Sequence, residues 1–171
     1  MISFHSSAAF LALGIAGIAG IASIGFTPLP ARAADTVFTL EPAATPARQD
    51  HMGAAREAVK AKDWKKSVAE LTLAVKDQPG NADAHNLLAY SHRKQAKPDL
   101  PKAFEHYNIA LKLNPNHKGA NEYIGEAYLM DKKPVKAEEH LARLKTICGN
   151  TSCEEYRDLA KSIAEYKAKN K

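Results

Sequence analysis

From Ala47 onward the apolar residues recur at helical spacing and no strand-like alternation develops, so the pattern predicts an all-α chain. Ala47–Ala61 reads as a first, weakly apolar helix. Asp63-Trp64 opens a second that runs to about Asp77, where Pro79-Gly80-Asn81 stops it, because proline cannot continue the hydrogen-bond ladder and Gly-Asn favours a turn. Ala82–Gln95 is the third. Asp99 can cap a fourth, with Pro101 in a first turn where its missing N–H costs little, and this helix runs to about Leu113 before Asn114-Pro115-Asn116. Lys118–Met130 and Pro134–Ile147 form another pair, closed by Gly149-Asn150. A seventh helix is expected from Thr151 or Ser152: Ser152 and Glu155 have capping-box spacing, and Tyr156, Leu159, Ile163 and Tyr166 follow at helical intervals.

Two stretches of this pattern are copies of one design. Val68–Asn81 (VAELTLAVKDQPGN) and Phe104–His117 (FEHYNIALKLNPNH) lie thirty-six residues apart, each with an apolar helical face, a small alanine and an asparagine-flanked proline. A period of about 34 residues built from two short helices marks a solenoid, whose units bury their apolar faces only by stacking on neighbours. From Arg48 to about Gly149 the residues resemble the tetratricopeptide repeat (TPR) family, in its secreted, periplasmic bacterial form. Leu88-Ala89, His92, Ala103, Tyr107, Ala110 and Pro115 fill its pattern in the second unit, and Ile124-Gly125, Tyr128, Ala137 and Leu141 in the third. Leu144 and Gly149 depart from the pattern there. The first unit matches at Trp64, Leu71, Ala74 and Pro79, but Ala54-Ala55 and Ala58 replace larger residues and Ser67 an alanine, so its leading helix is expected to pack thinly. The second unit carries two extra residues around Pro98–Pro101. The resemblance implies a right-handed solenoid of helical hairpins, about three units over residues 47–171, with a capping helix at about 152–168. Its small residues let helices approach ridge into groove.

In that family ligands lie on the concave face made by the first helix of each pair. With Leu88 and His92 turned inward, helical spacing puts Asn86, Tyr90 and Arg93 on the other face, with Met52, Arg56 and Val59 before them and Glu122, Glu126 and Leu129 after. Tyr123 and Met130 lie close by. The expected groove runs from basic at Arg56 and Arg93 to acidic at Glu122 and Glu126, which suits a peptide or helix of opposite polarity. The family's clamp for free C-terminal carboxylates needs lysine and asparagine pairs that Met52/Arg56 and Glu122/Glu126 do not supply. Chaperone-tail binding is therefore disfavoured.

The N-terminus obeys different rules. Ala8 to Phe26 is apolar apart from glycines and Ser23, and Pro28, Pro30 and Ala31-Arg32-Ala33 follow, which fits a secretory signal (residues 1–33) cleaved after Ala33. No lysine or arginine precedes the apolar run, which is also long enough to span a membrane, so an uncleaved anchor stands as the alternative. Residues 34–46, held extended by Pro42 and Pro46, read as a linker. The expected destination is the periplasm. The formal charge is +5, and removing residues 1–33 takes away only Arg32 and leaves +4. Lysines are scattered among glutamates with no basic stripe, which argues against nucleic acid.

Cys148 and Cys153 are the only cysteines, and in an oxidising compartment they should pair across Gly149–Ser152. Their spacing is not the C-x-x-C of a redox motif. His85 and His92 stand where the family packs aromatics, and His106 and His140 fall at equivalent places in successive second helices; partly buried, hydrogen-bonded histidines are expected, and no metal. No phosphate loop, nucleophile elbow or H-E-x-x-H helix occurs, and no cofactor or enzymatic activity is expected. The reading is a non-enzymatic adaptor of the cell envelope that binds a peptide or helix of another protein. A membrane-tethered spacer or self-associating element is the alternative.

Overall fold

The computed structural model describes residues 50–170 of the chain, within a compact unit that spans Thr45–Lys171. The expected signal (1–33), the linker (34–46) and a helix start at Ala47 lie outside the described residues. Among the described residues there are seven helices and no strand: α1 (His51–Lys60), α2 (Trp64–Asp77), α3 (Ala82–Lys94), α4 (Leu100–Leu113), α5 (Lys118–Met130), α6 (Pro134–Cys148) and α7 (Glu154–Lys169). None is long and apolar enough to cross a membrane. Caps explain the starts. Asp50, Asp63, Asn81, Asp99 and His117 each accept a backbone N–H three residues on, satisfying a donor that a helix start leaves open.

The helices pack as successive hairpins, α1 with α2, α3 with α4 and α5 with α6, and each second helix also touches the next first helix. The core is a chain of three clusters. Ala55, Leu71 and Leu88 form the first, Ala89, Ala103, Tyr107, Ile124 and Ala127 the second, and Leu129, Ala137, Leu144, Leu159 and Ile163 the third. As the alanines of the first unit imply, α1 buries only Ala55 and Ala58 fully.

The seventh helix departs from expectation. It starts at Glu154, not at Thr151 or Ser152, and no side chain caps it. Ser152 turns its hydroxyl to Asn150 Oδ1 at 2.7 Å, so the predicted capping box with Glu155 does not form. The cause is the chain bend before it: Gly149 takes a left-handed φ of 68°, and a disulfide joins Cys148 to Cys153, which itself occupies the N-cap position. From there α7 packs on both α5 and α6, as the first helix of a further unit would.

Candidate functional site

One face of the stack is formed by first helices, with α3 against α5 and α5 against α7. Its centre is Arg93. Held on α3 with 7% exposure, it places Nη2 2.5 Å from Glu126 Oε2 on α5 and donates from Nε to the Tyr107 hydroxyl at 3.4 Å. Its guanidinium also lies 5.4 Å from the centre of the Tyr90 ring and 5.7 Å from that of Tyr123. Burial works against its charge, but Tyr107 and Glu126 outweigh burial and hold its pKa above the usual value. Tyr90 and Tyr123 are 4.8 Å apart between centroids, and Trp64 meets Tyr90 edge-on at 5.8 Å, so an aromatic row runs from α2 through α3 to α5.

The acidic end has an unequal pair. Glu126 is satisfied, taking Arg93 on one oxygen and the Ser162 hydroxyl of α7 on the other at 3.2 Å. Glu122, one turn earlier, is 8% exposed and has neither a hydrogen bond nor an ion pair among the described residues. Burial, reinforced by Glu126, Asp158 and Glu155 and only partly offset by Arg93, pushes its carboxyl up to about 8. The Tyr123 hydroxyl is pushed up to about 12, first by burial and then by Glu122.

The expected groove residues thus divide. Tyr90, Arg93, Glu122 and Glu126 come together on α3 and α5. Asn86 joins them on α3 but is 5% exposed, with its Oδ1 buried and unpartnered among the described residues. On α1, Met52 packs into the first core cluster, whereas Arg56 is exposed. Met130 is 44% exposed at the end of α5, and Leu129 is buried in the third cluster. Arg93, expected at the basic end of the groove, has its charge committed to Glu126. Helical spacing treated the outer face of α5 as open, but α7 covers part of it.

That placement brings in residues the sequence reading did not assign to the site. A cavity of about 290 Å³ opens between α3, α5 and α7, lined by Arg93, Glu126, Leu129, Met130, Ser162, Glu165, Tyr166, Lys169 and Asn170. Ser162, Glu165 and Lys169 share one side of α7, next to the apolar stripe of Leu159, Ile163 and Tyr166. Their spacing was the available signal, hidden by treating α7 only as a cap.

His85 Nε2 faces the Pro79 carbonyl at 3.1 Å and must carry its proton there, so its Nδ1 accepts from His106 Nδ1 at 3.1 Å. His92 stacks on His106 and bonds to Gln95. Cys148, Cys153 and Glu155 are the one group of metal-ligating types that converge among the described residues, and its sulfurs are joined to each other.

A family model described as tetratricopeptide repeat matches residues 52–117 and again 99–150. Among solved structures, the TPR2B domain of yeast Sti1 in its pHsp70 complex superposes with a TM-score of 0.63 at 20% identity, covering 70% of this chain and 94% of that one. The first TPR domain of human RPAP3 gives a TM-score of 0.57 at 16% identity, over 69% of this chain and 93% of that one. At such identities the likeness is one of fold. No curated protein matches the chain.

Proposed function

The chain belongs to the tetratricopeptide repeat family, whose domains are generally protein–protein interaction modules, and on that premise we propose that it is a non-enzymatic scaffold that holds a segment of a partner protein on its first-helix face. The carrying observation is the cavity between α3, α5 and α7: three successive first helices contribute to one open recess with both apolar and charged walls. The yeast structure is of a TPR domain in complex with pHsp70, which agrees with this use of the fold.

The setting we propose is the cell envelope, with the chain exported and cut after Ala33. The signal-like residues 1–33 and the Cys148–Cys153 disulfide support it, since disulfides persist in oxidising compartments. An intact mass corresponding to a start at Ala34 is the expected result, and retention of Ala8–Phe26 would favour the tethered form.

The groove is tested by filling it. Ser162→Trp puts a large ring into the recess, and we expect recovery of partner protein by affinity capture to fall about tenfold or more, the equivalent of about 1.4 kcal/mol. Lys112→Trp, at an exposed position of α4, should leave recovery unchanged. Equal recovery by the two folded variants would contradict the proposed site.

A further inference from the structure

The face has acceptors that lack donors. Asn86 and Glu122 occupy equivalent positions of successive first helices, thirty-six residues apart. Both residues are more than nine-tenths buried; among the described residues Asn86 Oδ1 is enclosed without a hydrogen-bond partner, while the Glu122 carboxyl, also without one, keeps an edge open to solvent. Such groups cost free energy unless a donor reaches them. The Asn86 amide lies against the start of α5: its Nδ2 is 3.4 Å from where a side chain at Gly119 would begin, and the Tyr123 ring is 3.7 Å from the same point.

The charge around Glu122 is mostly negative. Glu122 feels Glu126 on its own helix and Glu155 and Asp158 across on α7, and the cation that offsets them, Arg93, is already bonded to Glu126. A recess of about 260 Å³ between α5 and α7 is lined by two of these acids, Glu126 and Asp158, with Lys161, Ser162 and Glu165. A mostly acidic wall that holds Glu122, a carboxylate without a donor, is complementary to a cation that brings several N–H groups.

We propose that the segment bound on this face is basic, and that it brings a lysine or arginine side chain to Glu122 from between α5 and α7. This rests on the groove reading above and adds the ligand's chemical class. The Tyr90 and Tyr123 rings, which already take Arg93, offer the same kind of surface to the incoming cation. A cation stabilises the ionised carboxyl, so binding releases a proton from Glu122. Affinity should therefore rise with pH up to about 8, where Glu122 titrates in the free protein, and level off above it. The groups facing Glu122 are Tyr90 and Arg93 on α3, Tyr123 and Glu126 on α5, and Glu155 and Asp158 on α7.

The experiment is selection of a displayed library of random dodecapeptides on the full chain, followed by fluorescence anisotropy on the enriched peptides. We expect lysine or arginine at one fixed position, and a loss of affinity of about tenfold when that residue is replaced by glutamine. Glu122→Gln, close in shape and uncharged, should weaken the same peptides about tenfold and flatten their pH dependence. Enriched peptides without a fixed basic residue, or peptides indifferent to Glu122→Gln, overturn this inference while leaving the groove reading intact. No enrichment on the chain, with Ser162→Trp also without effect on partner recovery, removes both.

Discussion

At the scale of single residues, one polar contact is repeated through the stack with changed chemistry. A residue near the start of each first helix meets one on its second helix: His51 with Glu70 at 2.8 Å, His85 with His106 at 3.1 Å, and Asn121 with His140 at 3.0 Å. In the last two units the same first-helix side chain also holds a proline carbonyl of the preceding turn, Pro79 or Pro115. Asn121 donates from Nδ2 to Pro115 and His117, so its Oδ1 must accept from His140 Nδ1–H and the tautomer is set. Removing that amide with Asn121→Ala leaves buried groups without partners, and a loss of about 2–4 kcal/mol is expected by urea denaturation. The histidines also set an acid limit. Burial, then Arg143, lowers His140 to about 4, and burial lowers His92 and His106 as well. Each folded pKa lies below its unfolded value, so stability is lost as pH falls from about 6.5 towards 4. Glu122 has the opposite sign: an acid raised to about 8 binds its proton more tightly when folded, so stability falls as pH rises from about 4.5 through 8. Thermal melts should therefore peak between these limits, and Glu122→Gln should remove the alkaline loss but not the acid one. The sequence showed that His106 and His140 are equivalent positions and that His85 and His92 are packed. It could not show the partners, because these pairs join different helices.

At the scale of elements, the unit is defined by a backbone register that survives an insertion. The N–H of each second-helix cap residue reaches one equivalent carbonyl of the first helix: Asp63 to Ala58, Asp99 to His92 and Lys133 to Tyr128. In the first and third units the turn closes through a left-handed lysine, Lys62 at φ 57° and Lys132 at φ 59°. The second unit has two more residues, and loops them out without moving the bond. Because a side chain in the left-handed region is strained and glycine is not, Lys132→Gly should stabilise by about 1 kcal/mol, read from the denaturation midpoint. The joint between α5 and α7 is the reverse case. A Cβ at Gly125 would lie 2.6 Å from Leu159 Cδ2, and Leu159 is fully buried, so Gly125→Leu should overpack the joint by about 1–3 kcal/mol and speed amide exchange in α7 first. The disulfide closes a short loop, and its reduction should cost about 2 kcal/mol, concentrated in the same helix. Helices α2 to α6 were legible nearly to the residue because prolines, aspartates and asparagines mark their ends. The start of α7 was not, because Ser152 has a nearer acceptor in Asn150 than the helix it was expected to cap.

At the scale of the whole repeat unit, function follows from what the stack leaves uncovered. The sequence pointed to the first helices as the face to expect a ligand on and named Tyr90, Arg93, Glu122 and Glu126 there, and the structure brings these four side chains together. It assigned them to open surface because periodicity says which side of a helix faces its partner in the pair but not what the next helix covers. Once α7 lies on α5 as a further first helix, Arg93 becomes an internal ion-pair partner and Glu122 a buried acid. The open surface moves to Met130, Ser162, Glu165 and Lys169. The most direct test of the central claim is photo-crosslinking in cells from a reactive side chain in place of Met130, 44% exposed at the rim of the recess, compared with one in place of Lys112 on α4. The account expects a defined protein adduct from Met130, abolished by Ser162→Trp, and none from Lys112. Adducts of equal yield from both positions, or an adduct at Met130 that Ser162→Trp leaves untouched, would contradict it.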